Sequence, residues 1–79
     1  MSKIHEEVID VITEVVGNLE IKEENLDTEL KKLGIDSLET FNVLFELEEK
    51  FGITFPEEDV EKLNTINSLA KYINEKLNN

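Results

Sequence analysis

Residues 34–52 of the chain read GIDSLETFNVLFELEEKFG, a stretch bounded by two glycines. Apolar residues recur inside it at intervals of three and four, which is the spacing of an amphipathic α-helix. Asp36 and Glu39 lie three residues apart at its start, as in a capping box, and Gly52 follows its last apolar position. The stretch therefore predicts a helix that runs from Asp36-Ser37 to the residue before this glycine.

The segments on either side of this helix also carry helical periodicity. Residues 3–16 place valine and isoleucine side chains at intervals of three and four and end before the stop signal Gly17-Asn18. Residues 68–77 carry a similar apolar face, and residues 57–63 predict a short helix after a proline that suits a helix start. The chain therefore predicts an all-α fold: a small four-helix bundle with three main helices, one short helix and a long loop between the first two.

The long loop, residues 19–35, is rich in charge but also carries apolar residues. We expect five of these to anchor the loop on the core: Leu19, Ile21, Leu26, Leu30 and Leu33. We expect Asp27 or Thr28 to cap a short turn at residues 29–33 that ends at Gly34. A loop of this length in a compact domain is typical of a functional segment.

Length and charge restrict the classes of partner. The chain has 79 residues and a net charge of −11, so we expect a single domain over residues 1–79. The charge repels nucleic acid and anionic lipid, and it favours partner proteins with basic patches. No apolar run is long enough to cross a bilayer, and the N-terminus lacks the features of a signal peptide. We therefore expect a cytoplasmic monomer with no nucleic-acid partner and no membrane insertion.

No catalytic or metal-binding pattern is visible in the sequence. The single histidine, His5, lies on the first predicted helix, and the absence of cysteine removes thiol catalysis and zinc–thiolate sites. The acids do not follow the spacing of a calcium loop, and the three glycines lie at element boundaries rather than in a phosphate-binding loop. We therefore expect no enzyme, no catalytic residue and no metal site.

The helix after Asp36 carries more apolar residues than one buried face can use. At about 100° per residue, one group forms a core face and a second group forms a separate stripe. The core face holds Thr40, Val43, Leu44, Leu47 and Phe51, and the stripe holds Leu38, Phe41 and Phe45. Either the stripe packs under the loop of residues 19–35, or it is an apolar strip with an acidic rim that binds a partner. Residues 36–61 contain nine acids against Lys50 alone, a field that attracts basic partners.

Ser37 has three possible roles at the start of this helix. Ser37 is itself the N-cap, in which case the backbone uses its hydroxyl. Alternatively Asp36 is the cap, and the Ser37 hydroxyl points outward from the first turn, where free N–H groups favour an attached anionic phosphodiester. A catalytic serine is the weakest of the three interpretations, because no general base is in sight.

The same residues resemble the acyl carrier protein family, and the resemblance extends over nearly the whole chain. The residues that show the resemblance are Gly34-Ile35-Asp36-Ser37-Leu38-Glu39-Thr40, followed by Leu44, Leu47-Glu48-Glu49 and Phe51. The resemblance implies a four-helix fold and a serine that a phosphopantetheinyl transferase modifies with 4'-phosphopantetheine. It also implies that acyl groups are held as thioesters and presented to acyl-transferring and acyl-processing enzymes.

The resemblance assigns roles to individual positions. It implies that Ser37 is the attachment site, with Asp36 as the motif residue before it. It implies partner docking by Leu38, Phe41, Phe45, Glu48 and Glu49. It also implies that part of the acyl chain finds shelter near Leu47, Phe55, Ile66 and Leu69.

The helix after Asp36 departs from typical carriers of fatty acid synthesis at four positions. Where this chain has Phe41, Asn42, Phe45 and Glu46, those carriers have a small aliphatic residue, an acid, methionine and a small residue, respectively. The expected function is a carrier in fatty acid or lipid biosynthesis. A specialised carrier for a dedicated ligase, polyketide or aminoacyl pathway is the alternative, and an unmodified acidic adaptor is the alternative from another class.

Overall fold

The computed structural model describes residues 2–17 and 19–78. Its three α-helices are α1 (Lys3–Val16), α2 (Ser37–Phe51) and α3 (Ile66–Leu77). Its three 3₁₀ helices are Glu23–Asn25, Leu30–Leu33 and Glu57–Lys62. No strand occurs in the described ranges. The predicted all-α bundle, with three main helices, a short one and a long first loop, is confirmed.

The predicted bounds of α1 and α2 are confirmed, but α3 begins at Ile66, two residues before the predicted start. The reason is that a capping box between Thr65 and Ser68 starts the helix before the predicted apolar pattern begins. The Thr65 hydroxyl accepts from the Ser68 N–H, and the Ser68 hydroxyl accepts from the Thr65 N–H, both at 3.0 Å. Ser68 therefore lies inside the helix. Asn18, half of the predicted stop signal after α1, lies outside the described residues.

The prediction that Asp27 or Thr28 caps the turn before Gly34 is wrong. The 3₁₀ helix Leu30–Leu33 begins after Glu29, and no side chain caps it. The Asp27 carboxylate is used elsewhere, because it accepts a hydrogen bond from α3. Gly34 does end this turn, as predicted, in the left-handed conformation at φ 90°.

One apolar core joins the three α-helices, and α1 packs against both of the others. Its buried helical residues are Val8, Val11, Ile12, Val43, Leu44, Leu47, Ile66, Leu69, Ala70 and Ile73. The predicted loop anchors are confirmed: Leu26 and Leu30 are buried, and Leu19, Ile21 and Leu33 are half-buried against the same core. Full burial of such a side chain contributes about 1.5–3 kcal/mol and partial burial contributes less, so the loop is part of the folded unit rather than a flexible tether.

Asn67 links the long loop to α1 and α3. Its backbone N–H donates to the Leu26 carbonyl at 3.0 Å, and its Nδ2 donates to Asp27 Oδ1 at 2.6 Å. Its Oδ1 lies 2.8 Å from His5 Nε2. Because the Asn67 amide nitrogen faces a carboxylate, the oxygen faces His5 and accepts from Nε2–H. A second link, the Leu30 N–H to the Asn64 carbonyl at 2.8 Å, fixes the loop beside the start of α3.

We expect Asn67→Ala to lower the free energy of unfolding by about 1–2 kcal/mol, because it removes two side-chain hydrogen bonds between separate segments. Urea denaturation of the variant and the wild type measures the difference. The matched control is Asn42→Ala, at an exposed asparagine of α2, which should change stability by less than about 0.5 kcal/mol. Equal stability of the two variants would contradict the role given to Asn67.

Candidate functional site

The start of α2 is fixed by a reciprocal pair of hydrogen bonds. Asp36 is the N-cap: its Oδ1 accepts from the Glu39 N–H at 2.7 Å, and Glu39 Oε1 accepts from the Asp36 N–H at 3.1 Å. The predicted capping box is therefore confirmed. The interpretation of Ser37 as the cap is wrong, because Ser37 is the first residue of the helix itself.

Ser37 presents an unused hydroxyl at this helix start. The side chain is exposed, and its Oγ makes no hydrogen bond to any residue that the structure describes. The Thr40 N–H and the Thr40 hydroxyl both donate to the Asp36 carbonyl, each at 2.9 Å. The amides of Ser37 and Leu38 have no acceptor within the described ranges. The site thus combines a free hydroxyl with backbone donors at the positive end of the α2 dipole, which suits an anion attached there.

A shallow groove opens beside Ser37. Its walls come from the 3₁₀ helix Leu30–Leu33, from α2 and from the 3₁₀ helix Glu57–Lys62. The lining residues besides Ser37 are Lys31, Ile35, Asp36, Thr40, Phe41 and Val60. A second groove continues along α2, where its lining is Phe41, Asn42, Leu44, Phe45, Glu48, Phe55, Glu57 and Val60. Because Phe41 and Val60 line both grooves, an apolar track leads from Ser37 along the helix.

The second apolar stripe of α2 is exposed. Leu38 is 70% exposed, Phe41 62% and Phe45 58%, whereas Leu44 and Leu47 on the other face are buried. The predicted two-faced helix is therefore confirmed. The alternative that the long loop covers the stripe is wrong, because the hydrogen bonds described above hold that loop beside the start of α3. We name Leu38, Phe41 and Phe45 the apolar strip.

The two acids predicted to flank the strip differ in their surroundings. Glu49 is exposed, but Glu48 is half-buried, and its Oε2 accepts from the Phe55 N–H at 2.7 Å. The Phe55 ring packs against Tyr72 of α3, with ring centroids 5.3 Å apart. Glu48 therefore holds the segment after α2 in place, a role that sequence reasoning missed because its partner is a backbone group in another segment.

The four residues implied to shelter an acyl chain all lie in the core. Leu47, Ile66 and Leu69 have no exposed surface, and Phe55 is buried beside them. Within the described residues, no group of three or more acids, histidines or cysteines is placed to hold a metal ion. No helix in the same ranges combines the length and the apolar character needed to span a membrane.

Comparison with known families bears directly on this site. A family model described as "Phosphopantetheine attachment site" matches residues 6–73. The chain belongs to this family of phosphopantetheine carriers. The group that such carriers bind covalently is 4'-phosphopantetheine. Carrier domains of the family are generally non-catalytic, and they interact with a phosphopantetheinyl transferase and with partner enzymes.

The residues at the start of α2 fit the family's group. A phosphodiester link needs an accessible hydroxyl, and the Ser37 hydroxyl is exposed and has no other duty among the described residues. A phosphodiester link at Ser37 would carry a negative charge, which the amides of Ser37 and Leu38, without an acceptor in the described ranges, would stabilise. The local chemistry at the start of α2 therefore suits the group that this family carries.

Two substitutions test which residue caps α2. We expect Asp36→Ala to lower the free energy of unfolding by about 1 kcal/mol, because the cap is lost. Ser37→Ala should change it by less than about 0.5 kcal/mol, because no hydrogen bond is removed. Urea denaturation of the unmodified proteins measures both. Asp36→Asn is the control, since asparagine keeps the cap; a larger loss in Ser37→Ala than in Asp36→Ala would contradict the assignment.

Proposed function

We propose that Ser37 carries the 4'-phosphopantetheine arm and that the protein presents acyl groups on it to partner enzymes, most directly in fatty acid or lipid biosynthesis. One observation carries this proposal: the Ser37 hydroxyl is exposed and makes no hydrogen bond to a described residue, because Asp36 performs the capping. We also propose that residues 1–79 act as one carrier domain, which a core shared by all three α-helices supports.

The residues of the protein position the arm, and they do not react with the acyl group that it holds. The arm supplies a thiol that holds acyl groups as thioesters. Asp36 fixes the helix start and so aims the Ser37 hydroxyl outward. The groove lined by Phe41 and Val60 leads from this point along α2, so it offers the proximal part of the arm an apolar surface.

The attachment is tested by intact-mass measurement after incubation with coenzyme A and a phosphopantetheinyl transferase. We expect the wild type to gain the mass of one phosphopantetheinyl group. The reason is that the Ser37 hydroxyl, which takes no part in capping, lies at the start of α2 within the matched residues 6–73. Ser37→Ala should gain nothing. Ser2→Ala and Ser68→Ala are the controls, because both serines have hydroxyls engaged in capping, and both variants should load fully.

An unchanged mass for the wild type would overturn the attachment at Ser37. It would also favour the alternative from another class, an acidic adaptor without the arm. Loading that survives in Ser37→Ala and disappears in another serine variant would move the site elsewhere.

We further propose that the apolar strip, with Glu48 and Glu49 beside it, docks partner enzymes through their basic patches. Exposed aromatic rings beside the attachment point provide the apolar contact, since central aromatic residues dominate the binding energy of protein interfaces. The acids of residues 36–61 provide long-range attraction to lysine and arginine. Because Glu48 already accepts from the Phe55 backbone, Glu49 is the acid with a free carboxylate for this contact.

We expect Phe45→Glu to weaken binding to the phosphopantetheinyl transferase by more than about 1 kcal/mol, because a buried aromatic contact is lost. The fold should remain intact, since the Phe45 ring is 58% exposed. Calorimetric titration measures the affinity, and circular dichroism checks the fold. Leu77→Glu, at another exposed apolar residue at the end of α3, is the control and should bind as the wild type does. Unfolding of Phe45→Glu would show that the residue belongs to the core.

A specialised carrier for a dedicated ligase, polyketide or aminoacyl pathway is the second candidate. It is favoured by the two aromatic rings exposed at Phe41 and Phe45, and by Asn42 and Glu46 between and after them, which change the chemistry of the docking face. The thioester recovered on the protein from its native cell distinguishes the candidates. A series of fatty acyl chains supports lipid synthesis, and one defined short or aminoacyl group supports the specialised role.

A further inference from the structure

The groove beside Ser37 contains one feature that the attachment itself does not explain, an exposed lysine side chain. Lys31 lines this groove together with Ser37, Asp36 and Thr40. We propose that Lys31 binds the phosphodiester through which the arm is joined to the protein. The inference rests on the proposed attachment at Ser37 and adds a residue to that site.

The backbone around Lys31 is held on both sides. The preceding residue, Leu30, is buried, and its N–H donates to the Asn64 carbonyl at 2.8 Å. On the other side, the Gly34 N–H donates to the Lys31 carbonyl at 3.2 Å, and Gly34 turns the chain into α2. The side chain is flexible, but its origin at the edge of the groove is fixed.

The ammonium group of Lys31 is available for an anion. No carboxylate of the described residues lies within the 4.0 Å that defines an ion pair with it. The adjacent Lys32 differs, because its Nζ lies 3.5 Å from Glu29 Oε2. Lys32 is not among the residues that line the groove. The two neighbouring lysines therefore form a natural test pair.

Electrostatics gives Lys31 a reason to act on the attached phosphate. A phosphodiester on Ser37 would be next in sequence to Asp36, and the acids of residues 36–61 would repel it. The α2 amides offset part of this repulsion, and a nearby ammonium offsets more of it. Lysine acts on phosphate as a compact point charge and needs no fixed planar geometry, so a flexible side chain at the groove edge is suitable.

The experiment compares unmodified and fully loaded forms of the wild type, Lys31→Gln and Lys32→Gln. We expect the change in melting temperature on loading to be about 2–4 °C more favourable in the wild type than in Lys31→Gln, the shift expected from one exposed ion pair in a domain of this size. Lys32→Gln should match the wild type. The difference should shrink in high salt, which screens exposed charges.

A second readout does not depend on stability. In the loaded wild type, the NMR resonances at the end of the Lys31 side chain should differ from those of the unmodified protein, whereas those of Lys32 should not. The phosphorus resonance of the arm should shift in Lys31→Gln and stay near its wild-type position in Lys31→Arg, which keeps the positive charge.

The outcomes separate this inference from the proposed function. Intact mass first establishes that Ser37 is loaded; no loading in any form overturns both proposals. Full loading with equal melting shifts in the two glutamine variants, and no change at the Lys31 resonances, overturns the role of Lys31 alone. Equal effects of Lys31→Gln and Lys32→Gln would show a general charge effect and would also overturn it.

Discussion

The proposed attachment at Ser37 depends on which residue caps α2. Only one residue can be the N-cap, and the reciprocal bonds between Asp36 and Glu39 give that position to the aspartate. Ser37 then occupies the first helical turn, where its hydroxyl has no hydrogen-bond partner among the described residues. Were the serine the cap, its oxygen would bind a backbone N–H and would be a poorer attachment point. Because the Asp36 carboxylate caps the helix, the Ser37 hydroxyl is left available for the proposed attachment.

The position of the long loop is the second constraint. Hydrogen bonds from Asn64 and Asn67, together with the burial of Leu26 and Leu30, fix the loop beside the start of α3. It therefore leaves the outer side of α2 uncovered. The Phe41 and Phe45 rings, which stay 62% and 58% exposed, contribute less to folding than buried rings do, and they are buried further when another surface removes them from water. The packing of the loop beside the start of α3 is therefore also the reason why the apolar strip is exposed.

The parts of this structure that follow from local periodicity were predictable, and the parts made by long-range contacts were not. The bounds of α1 and α2 and the two faces of α2 follow from residue spacing alone. The start of α3 differed because the Thr65–Ser68 capping box precedes the apolar pattern. The hydrogen bonds of Asn67 and the bond between Glu48 and Phe55 could not be predicted from residue spacing. Each joins segments that come together only in the folded chain. The role of the Ser37 hydroxyl stayed open in the sequence, because the pattern fits either Asp36 or Ser37 as the N-cap, and the hydrogen bonds of the folded chain assign the cap to Asp36.

The acidity of the chain has opposite consequences for docking along α2 and for an anion attached at its start. Under the proposed docking, exposed acids such as Glu46 and Glu49 would attract basic partners, and their mutual repulsion would be relieved when such a partner binds. At the start of α2, the same charge sign opposes an attached phosphodiester. The structure supplies compensating positive potential there: the amides of Ser37 and Leu38, which have no acceptor in the described ranges and lie at the positive end of the α2 dipole, and, in the proposal above, the ammonium of Lys31 in the shared groove. On a chain of net charge −11, such local positive potential would offset the repulsion between the acidic surface and a charged group attached at this helix start.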